Sequence, residues 1–311
     1  MAWPGHTSKT ACRRTPVQAA SVAVRRLLSD YLALTKPNIV VLLLLTALAG
    51  AVLAARGLPP AAALAAVLIG GAMAAGGAGA LNHYLERDLD SAMSRTRHRP
   101  LPGQRIPPGH ALLFGLALNL GAFLLFATLA NLLSAALALA GALFYLLVYT
   151  HWLKRSTPQN IVIGGAAGAL PPLVGWAAVM GGVELPAIYL FAIIFFWTPP
   201  HFWALALLLR DDYARAGVPM LPVVQGEHAT AWQILLYSLV VVALTVLLFT
   251  TRRVGWLYLA LALALGALFI IYAVQLLRDI RPARARRLYK YSLLYLALIF
   301  VAVIVDGGLI A

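Results

Sequence analysis

Nine separate stretches, roughly 38–56, 60–82, 109–129, 132–150, 159–180, 186–208, 231–250, 254–277 and 291–309, are long and apolar enough to cross a bilayer as helices, for which about 20 residues suffice. Hydrocarbon leaves every backbone N–H and C=O to be satisfied within the protein, so only helices or a closed barrel can span it. None of the stretches shows the alternation of a barrel strand. The expected fold class is therefore all-α: a polytopic membrane protein, a nine-transmembrane-helix bundle with a central cavity. Composition agrees. Of 311 residues, 62% are apolar and 11% charged, against roughly 45–50% and 25% in soluble domains. Soluble enzymes and nucleic-acid binders fit these numbers poorly. The single cysteine, Cys12, leaves no intrachain disulfide and no cysteine-rich metal site.

The net charge of +14 reports topology. With the N-terminus in the cytoplasm, the N-terminal segment and the loops after spans two, four, six and eight are cytoplasmic. Only Arg56, Arg252 and Arg253 then fall outside, leaving 21 of the 24 Lys and Arg inside, a strong positive-inside signal. The expected partner of the charge is the lipid bilayer, with no nucleic acid. The expected location is a bacterial inner (plasma) membrane, crossed many times. Residues 1–30 hold Lys9, Arg13, Arg14, Arg25 and Arg26 ahead of the first acid, Asp30. They read as a basic, disordered cytoplasmic tail, although the composition also resembles a transit peptide. Residues 31–311 form the transmembrane domain. Gly164 and Gly168 are spaced for close helix packing, and Pro171, Pro172, Pro199 and Pro200 are expected to bend the fifth and sixth spans.

With only ten acids, each is informative. Asn82, Glu86 and Asp90, just after the second span, are spaced i, i+4, i+8 and share one helical face, while Asp88 points elsewhere. Like charges four apart are unfavourable unless a cation compensates, and a set of oxygen ligands favours Mg²⁺. A basic run follows, with Arg95 and Arg99 again four apart, which fits an anion bridged by metal and arginine such as a diphosphate. A partial echo, Arg210-Asp211-Asp212-Tyr213-Ala-Arg215, follows the sixth span and so emerges on the same side. Lys36 before the first span and Lys154 after the fourth belong to that side too. His201, beside Pro199 and Pro200 inside a span, reads either as a hydrogen-bonded structural group or as a ligand or proton donor. Aromatic residues crowd the fourth and sixth spans, where they face lipid or line a tunnel.

These motifs resemble those of a known family. Asn82-x₃-Glu86-x₃-Asp90 followed by Met-Ser-Arg95-Thr-x-x-Arg99-Pro-Leu-Pro is similar to the first motif of intramembrane prenyltransferases of the ubiquinone-biosynthesis type, and within them to the protoheme IX farnesyltransferase (heme O synthase) branch. The likeness extends through Leu34-Thr-Lys36-Pro37, Tyr149-Thr-x-Trp-Leu-Lys154-Arg-x-Thr157-x-x-Asn160, Pro200-His201-Phe-Trp and Asp211-Asp212-Tyr-x-x-Ala-Gly217-Val-Pro-Met220. The resemblance implies transfer of farnesyl from farnesyl diphosphate to a vinyl group of heme B, with Mg²⁺ as cofactor and the active site open to the cytoplasm. It gives Asn82, Glu86 and Asp90 the first metal–diphosphate motif and Asp211 and Asp212 the second. Lys36, Arg95, Arg99, Lys154 and Arg215 lie around phosphates or heme propionates, and His201 on the heme side. It also implies heme A synthase or terminal oxidase subunits as partners. Two departures stand out: position 86 is Glu where many members carry Asp, and Leu208 and Arg215 replace carboxylates of the regular second motif, which leaves a single metal with arginines. An aromatic acceptor of the 4-hydroxybenzoate type is the alternative within the family, and a membrane transporter the alternative outside it.

Overall fold

In the computed structural model, residues 16–310 are described, and among them all regular structure is helical. Helix α1 spans Pro16–Leu34. Nine further helices are long and apolar enough to cross a membrane: α2 Pro37–Ala55, α3 Ala61–Leu85, α4 Pro108–Leu129, α5 Leu132–Ser156, α6 Asn160–Met180, α7 Leu185–Leu208, α8 Gly226–Thr251, α9 Trp256–Arg278 and α10 Pro282–Gly308. The expected fold class holds, and the chain is a multi-pass membrane protein. Three helices run past their expected limits: α5 continues to Ser156, α8 starts at Gly226 and α10 starts at Pro282. Proline at the first turn opens α10. Capping and proline decide where a helix ends, so helices outrun the apolar stretch that hydropathy detects.

Apolar side chains cover the outside as well as the core. Leu113, Leu120, Leu124, Leu147 and Leu236 are all exposed, as a lipid-facing surface requires. Inside, small residues let helices touch at backbone level. A Cβ on Gly175 of α6 would collide with the Ala47 carbonyl oxygen of α2, and one on Gly50 of α2 with the Pro172 carbonyl oxygen of α6. The Gly164–Gly168 pair plays a different part from the one its spacing predicts. Gly164 makes room for the Tyr149 ring, whereas a Cβ on Gly168 would meet nothing within 4 Å. The prolines also act unequally. Helix α6 breaks at Leu170, ahead of Pro171, while α7 runs unbroken through Pro199 and Pro200.

The disorder expected for residues 1–30 does not hold for its described part. From Pro16 onward the segment is helical, and the expected boundary at residue 30 falls inside α1. Asp30 is buried and accepts from Arg105 Nε at 3.0 and 3.1 Å, and the Tyr31 ring packs edge-on against Phe114. A long-range ion pair and an aromatic contact, neither visible as a local pattern, anchor this helix. Residues 1–15, with Cys12, lie outside the described residues.

Candidate active site

The helical register carries across the end of α3. Asn82 C=O accepts from Glu86 N at 2.9 Å, and Glu86 C=O from Asp90 N at 2.8 Å, the latter within the short helix Arg87–Ala92. Asn82, Glu86 and Asp90 consequently keep one face, and all three are buried. Asp88 leaves that face, is 59% exposed in its side chain and pairs with Arg155. The guanidinium's hydrogen bonds pull the Asp88 carboxyl down to about 2.

Each oxygen side chain of the face is met by a cation from elsewhere in the chain. Lys36 Nζ donates to Asn82 Oδ1 at 2.5 Å, Lys154 Nζ to Glu86 Oε1 at 2.5 Å, and Arg99 to both Asp90 oxygens at 2.9 Å. Asn82 Nδ2 also donates to Thr150 Oγ1 at 3.0 Å. The backbone explains two of the cations. Lys36 adopts a left-handed conformation, φ 54° and ψ 58°, immediately before Pro37, a strained geometry for a non-glycine residue that turns the chain between α1 and α2. In α5 the segment Phe144–Leu153 is π-helical. Widening to i→i+5 hydrogen bonds lines up residues four and five apart: Tyr145 and Tyr149 stack at 5.7 Å, and Lys154 lies 6.0 Å over the Tyr149 ring.

Electrostatics follow from this crowding. Burial strips solvent from Lys36 and pulls it down to about 8, against the opposing pull of Glu86. Burial alone would raise the Glu86 carboxyl, but the Lys154 and Lys36 ammoniums outweigh it and hold the group below its ordinary value.

The second acidic loop reaches the same end. Ser94 Oγ donates to Asp212 Oδ2 at 2.8 Å and Oδ1 at 3.1 Å, joining the segment after α3 to the short helix Arg210–Arg215. Asp212 also pairs with Arg215, and the Ser94 and Arg215 hydrogen bonds lower its pKa. Its neighbour Asp211 does not join. It is exposed, and no hydrogen bond or ion pair holds it among the described residues, because adjacent residues of a helix point about 100° apart. Arg95 lines a cavity of about 330 Å³ beside Lys36 and Arg99.

His201 lies against a different wall. Its ring stacks between Trp197 at 4.3 Å and Tyr289 at 4.8 Å, and Nδ1 is 2.7 Å from Ser292 Oγ. Ser292 spends its own proton on the Tyr289 carbonyl at 2.7 Å, so His201 Nδ1 donates and Nε2 keeps the lone pair. Sequence spacing had no means of selecting Ser94 or Thr150, isolated hydroxyls whose roles come from folding across 118 and 68 residues.

Among the described residues, no three His, Cys, Asp or Glu side chains converge into a ready-made metal cage. Asn82, Glu86 and Asp90 on one helical face, and Asp212 held at the same end by Ser94, all offer hard oxygens. That fits Mg²⁺, which is commonly held by one or two carboxylates plus substrate phosphates and water.

Comparisons with known proteins agree on the family. A protein named protoheme IX farnesyltransferase from Roseiflexus castenholzii is 49% identical over 311 residues, all of this chain and 56% of that protein. Its namesake from Symbiobacterium thermophilum is 54% identical over 279 residues, 89% of this chain and 93% of that protein. The chain thus spans about half the length of the Roseiflexus relatives and nearly all of the Symbiobacterium one. Among solved structures, a digeranylgeranylglyceryl phosphate synthase shares the fold with a TM-score of 0.76 at 20% identity, over 91% of this chain and 99% of that one. So does a homologue from Archaeoglobus fulgidus bound to GPP and Mg²⁺, with a TM-score of 0.63 at 18% identity, over 88% and 99%. Residues 43–299 match the model of the UbiA prenyltransferase family, and with nine spans, two motif loops meeting at one end and relatives at about half identity, the chain belongs to that family.

Proposed function

We propose that the chain transfers the farnesyl group of farnesyl diphosphate to a vinyl group of heme B, giving heme O and diphosphate. The observation that carries this reading is the set of four cation–oxygen pairs, Lys36–Asn82, Lys154–Glu86, Arg99–Asp90 and Arg215–Asp212, collected at one end of an apolar bundle. The names of the relatives supply the acceptor.

Asn82, Glu86, Asp90 and Asp212 are the residues that would hold Mg²⁺, which neutralises charge on the departing diphosphate. Lys36, Lys154 and Arg99 are already placed to exchange their carboxylate and amide partners for phosphate oxygens, with Arg95 and Arg215 at the rim. Such charges stabilise the transition state because they are aimed where negative charge develops. The farnesyl C1–O bond breaks, the electron pair leaving with diphosphate, and the allylic cation forms among apolar helices that exclude water. Stacked Tyr145 and Tyr149 offer π faces close to the Lys36 and Lys154 ammoniums. The vinyl group attacks C1 to form the new C–C bond. Water captures the resulting benzylic-like cation and loses a proton, leaving the hydroxyl. His201, its Nε2 lone pair unused by Ser292, would serve on the heme side. Asp211 receives no role.

The same reading puts the N-terminus and this end of the bundle on the cytoplasmic side of a bacterial plasma membrane, with heme A synthase or a terminal oxidase receiving the product. The test is a membrane assay with heme B and farnesyl diphosphate, with and without Mg²⁺, read by product mass. The expected product is heme O, formed only with Mg²⁺. Prenylated 4-hydroxybenzoate in a parallel reaction, with heme B untouched, would overturn the acceptor. Intact diphosphate in all reactions would overturn the chemistry and favour a transporter.

A further inference from the structure

Helix α1 stands outside the nine spans and is held to the bundle by one side of its C-terminal half. Asp30 pairs with Arg105, the Tyr31 ring meets Phe114, and Leu34 is fully buried. A Cβ on Gly79 of α3 would lie 3.0 Å from the Leu34 carbonyl oxygen, so the last turn of α1 touches α3 at backbone level. Lys36 then turns the chain into α2.

The remaining surface of α1 is sorted by chemistry. At 3.6 residues per turn, Val24, Leu27, Leu28 and Leu32 fall within an arc of roughly 140°, and each is at least half exposed. Arg25, Arg26 and Ser29 take the rest of the exposed surface. The only acid of the helix, Asp30, is spent on Arg105, and among the described residues no carboxylate pairs with Arg25 or Arg26. A leucine stripe turned outward beside unpaired arginines is the pattern of a helix lying in a membrane surface. The exposed apolar surface resumes on the next helix at Ile39 and Val41 of α2, where the lipid-facing wall of the bundle begins. A second copy seated on the stripe would bring the same two arginines to the contact, whereas anionic headgroups complement them.

We infer that α1 docks on a lipid surface bearing anionic headgroups and passes that contact to the loop that carries Arg99. Val24, Leu27, Leu28 and Leu32 enter the upper acyl region, while Arg25 and Arg26 extend their stems to headgroup phosphates. Asp30 is the link to the interior. Arg105, bound to Asp30 through Nε, donates through Nη1 to the His98 carbonyl at 3.1 Å. The next residue, Arg99, holds Asp90. The helix is a strap, seated on lipid along one face and tied at the other to the 98–105 loop, so docking steadies that loop.

The test uses the full chain in nanodiscs of phosphatidylcholine, alone or mixed with phosphatidylglycerol. A fluorophore is attached through Leu28→Cys or Ser29→Cys, each in a Cys12→Ser background, and quenched by lipid spin-labelled near the headgroup end of its acyl chain. In the mixed discs the fluorophore at position 28 is expected to be quenched at least about twofold more than the one at position 29. Adding Arg25→Gln and Arg26→Gln should return quenching at position 28 to its value in phosphatidylcholine alone, with Tm unchanged because both side chains are exposed. Amide hydrogen exchange at 98–105 should slow about threefold or more when phosphatidylglycerol is added to the wild type, and stay constant in the double arginine variant. Equal quenching at positions 28 and 29, or quenching at position 28 that ignores phosphatidylglycerol, overturns the docking. So does a fluorophore at position 28 shielded from lipid only in discs that hold two chains, which gives the stripe to a second copy. Docking that leaves exchange at 98–105 unchanged overturns the strap.

Discussion

The two ends of the bundle use buried acids in opposite ways. At the end just described, Glu86 and Asp90 are answered by the side chains of Lys154 and Arg99, partners that can leave for another anion. At the far end, buried Asp306 of α10 accepts from the backbone N–H groups of Gly255 at 2.6 Å and Tyr258 at 2.9 Å, capping the start of α9. Backbone donors at a helix start cannot move to a ligand without unravelling it. The far end also holds the larger cavity, about 570 Å³ under the 249–256 turn. Its Arg253 is already engaged by Glu184 at 3.2 Å and by the Trp176 ring. Size alone does not mark the chemical end. Exchangeable charge partners do.

The sharpest way to break this contrast is to remove one acid from each end. Glu86→Ala or Asp90→Ala is expected to cut heme O formation by roughly 10²–10³-fold with Tm near wild type. Asp306→Ala is expected to lower stability by about 1 kcal/mol while keeping turnover per folded molecule. Thermal melts and product mass on the same preparations check both, and an inactive, fully folded Asp306→Ala would erase the distinction. Next in size is Gly175→Ala, whose added methyl meets the Ala47 carbonyl. It should cost about 1–3 kcal/mol by overpacking and reduce folded yield, with kcat of the surviving protein unchanged.

Much of this contrast was legible in the sequence, and the limits are instructive. The nine spans and the shared face of Asn82, Glu86 and Asp90 follow from hydropathy and a 3.6-residue period, which are local properties. The choice of Asp212 over Asp211 is not local, because it depends on which residue meets Ser94 from a distant loop. Asp306 sits at the end of α10 but caps the start of α9, a pairing that the period of its own helix does not carry. The helix from Pro16 onward was not legible because the Asp30–Arg105 pair that anchors α1 joins residues 75 apart, and the left-handed Lys36 that turns it into α2 has no sequence mark beyond the following proline.

A smaller effect concerns pH. Because Lys36 sits near 8, its ammonium is present below that value and lost above it. The kcat/KM for farnesyl diphosphate should therefore fall several-fold as pH climbs through about 8. Lys36→Arg, charged throughout, should remove the fall, and an unchanged profile would take Lys36 out of diphosphate binding. The smallest effect is expected at Asp88, whose exposed pair with Arg155 sits beside the site without joining it. Its carboxyl is depressed to about 2, so whatever stability the pair contributes is complete above the ordinary value near 3.9 and is lost as pH falls through about 2. Solvent screening keeps that contribution small, so Asp88→Asn should change stability by no more than ~0.5 kcal/mol at neutral pH and leave turnover intact.

The most direct measurement is the Mg²⁺ dependence of heme O synthesis in the wild type, Glu86→Gln and Asp90→Asn. Wild-type activity should saturate with Mg²⁺ and vanish with EDTA, and each variant should need at least tenfold more metal to reach half its own maximum. Synthesis that survives EDTA, or a midpoint that neither substitution shifts, would contradict the assignment of these carboxylates to a metal-bound diphosphate.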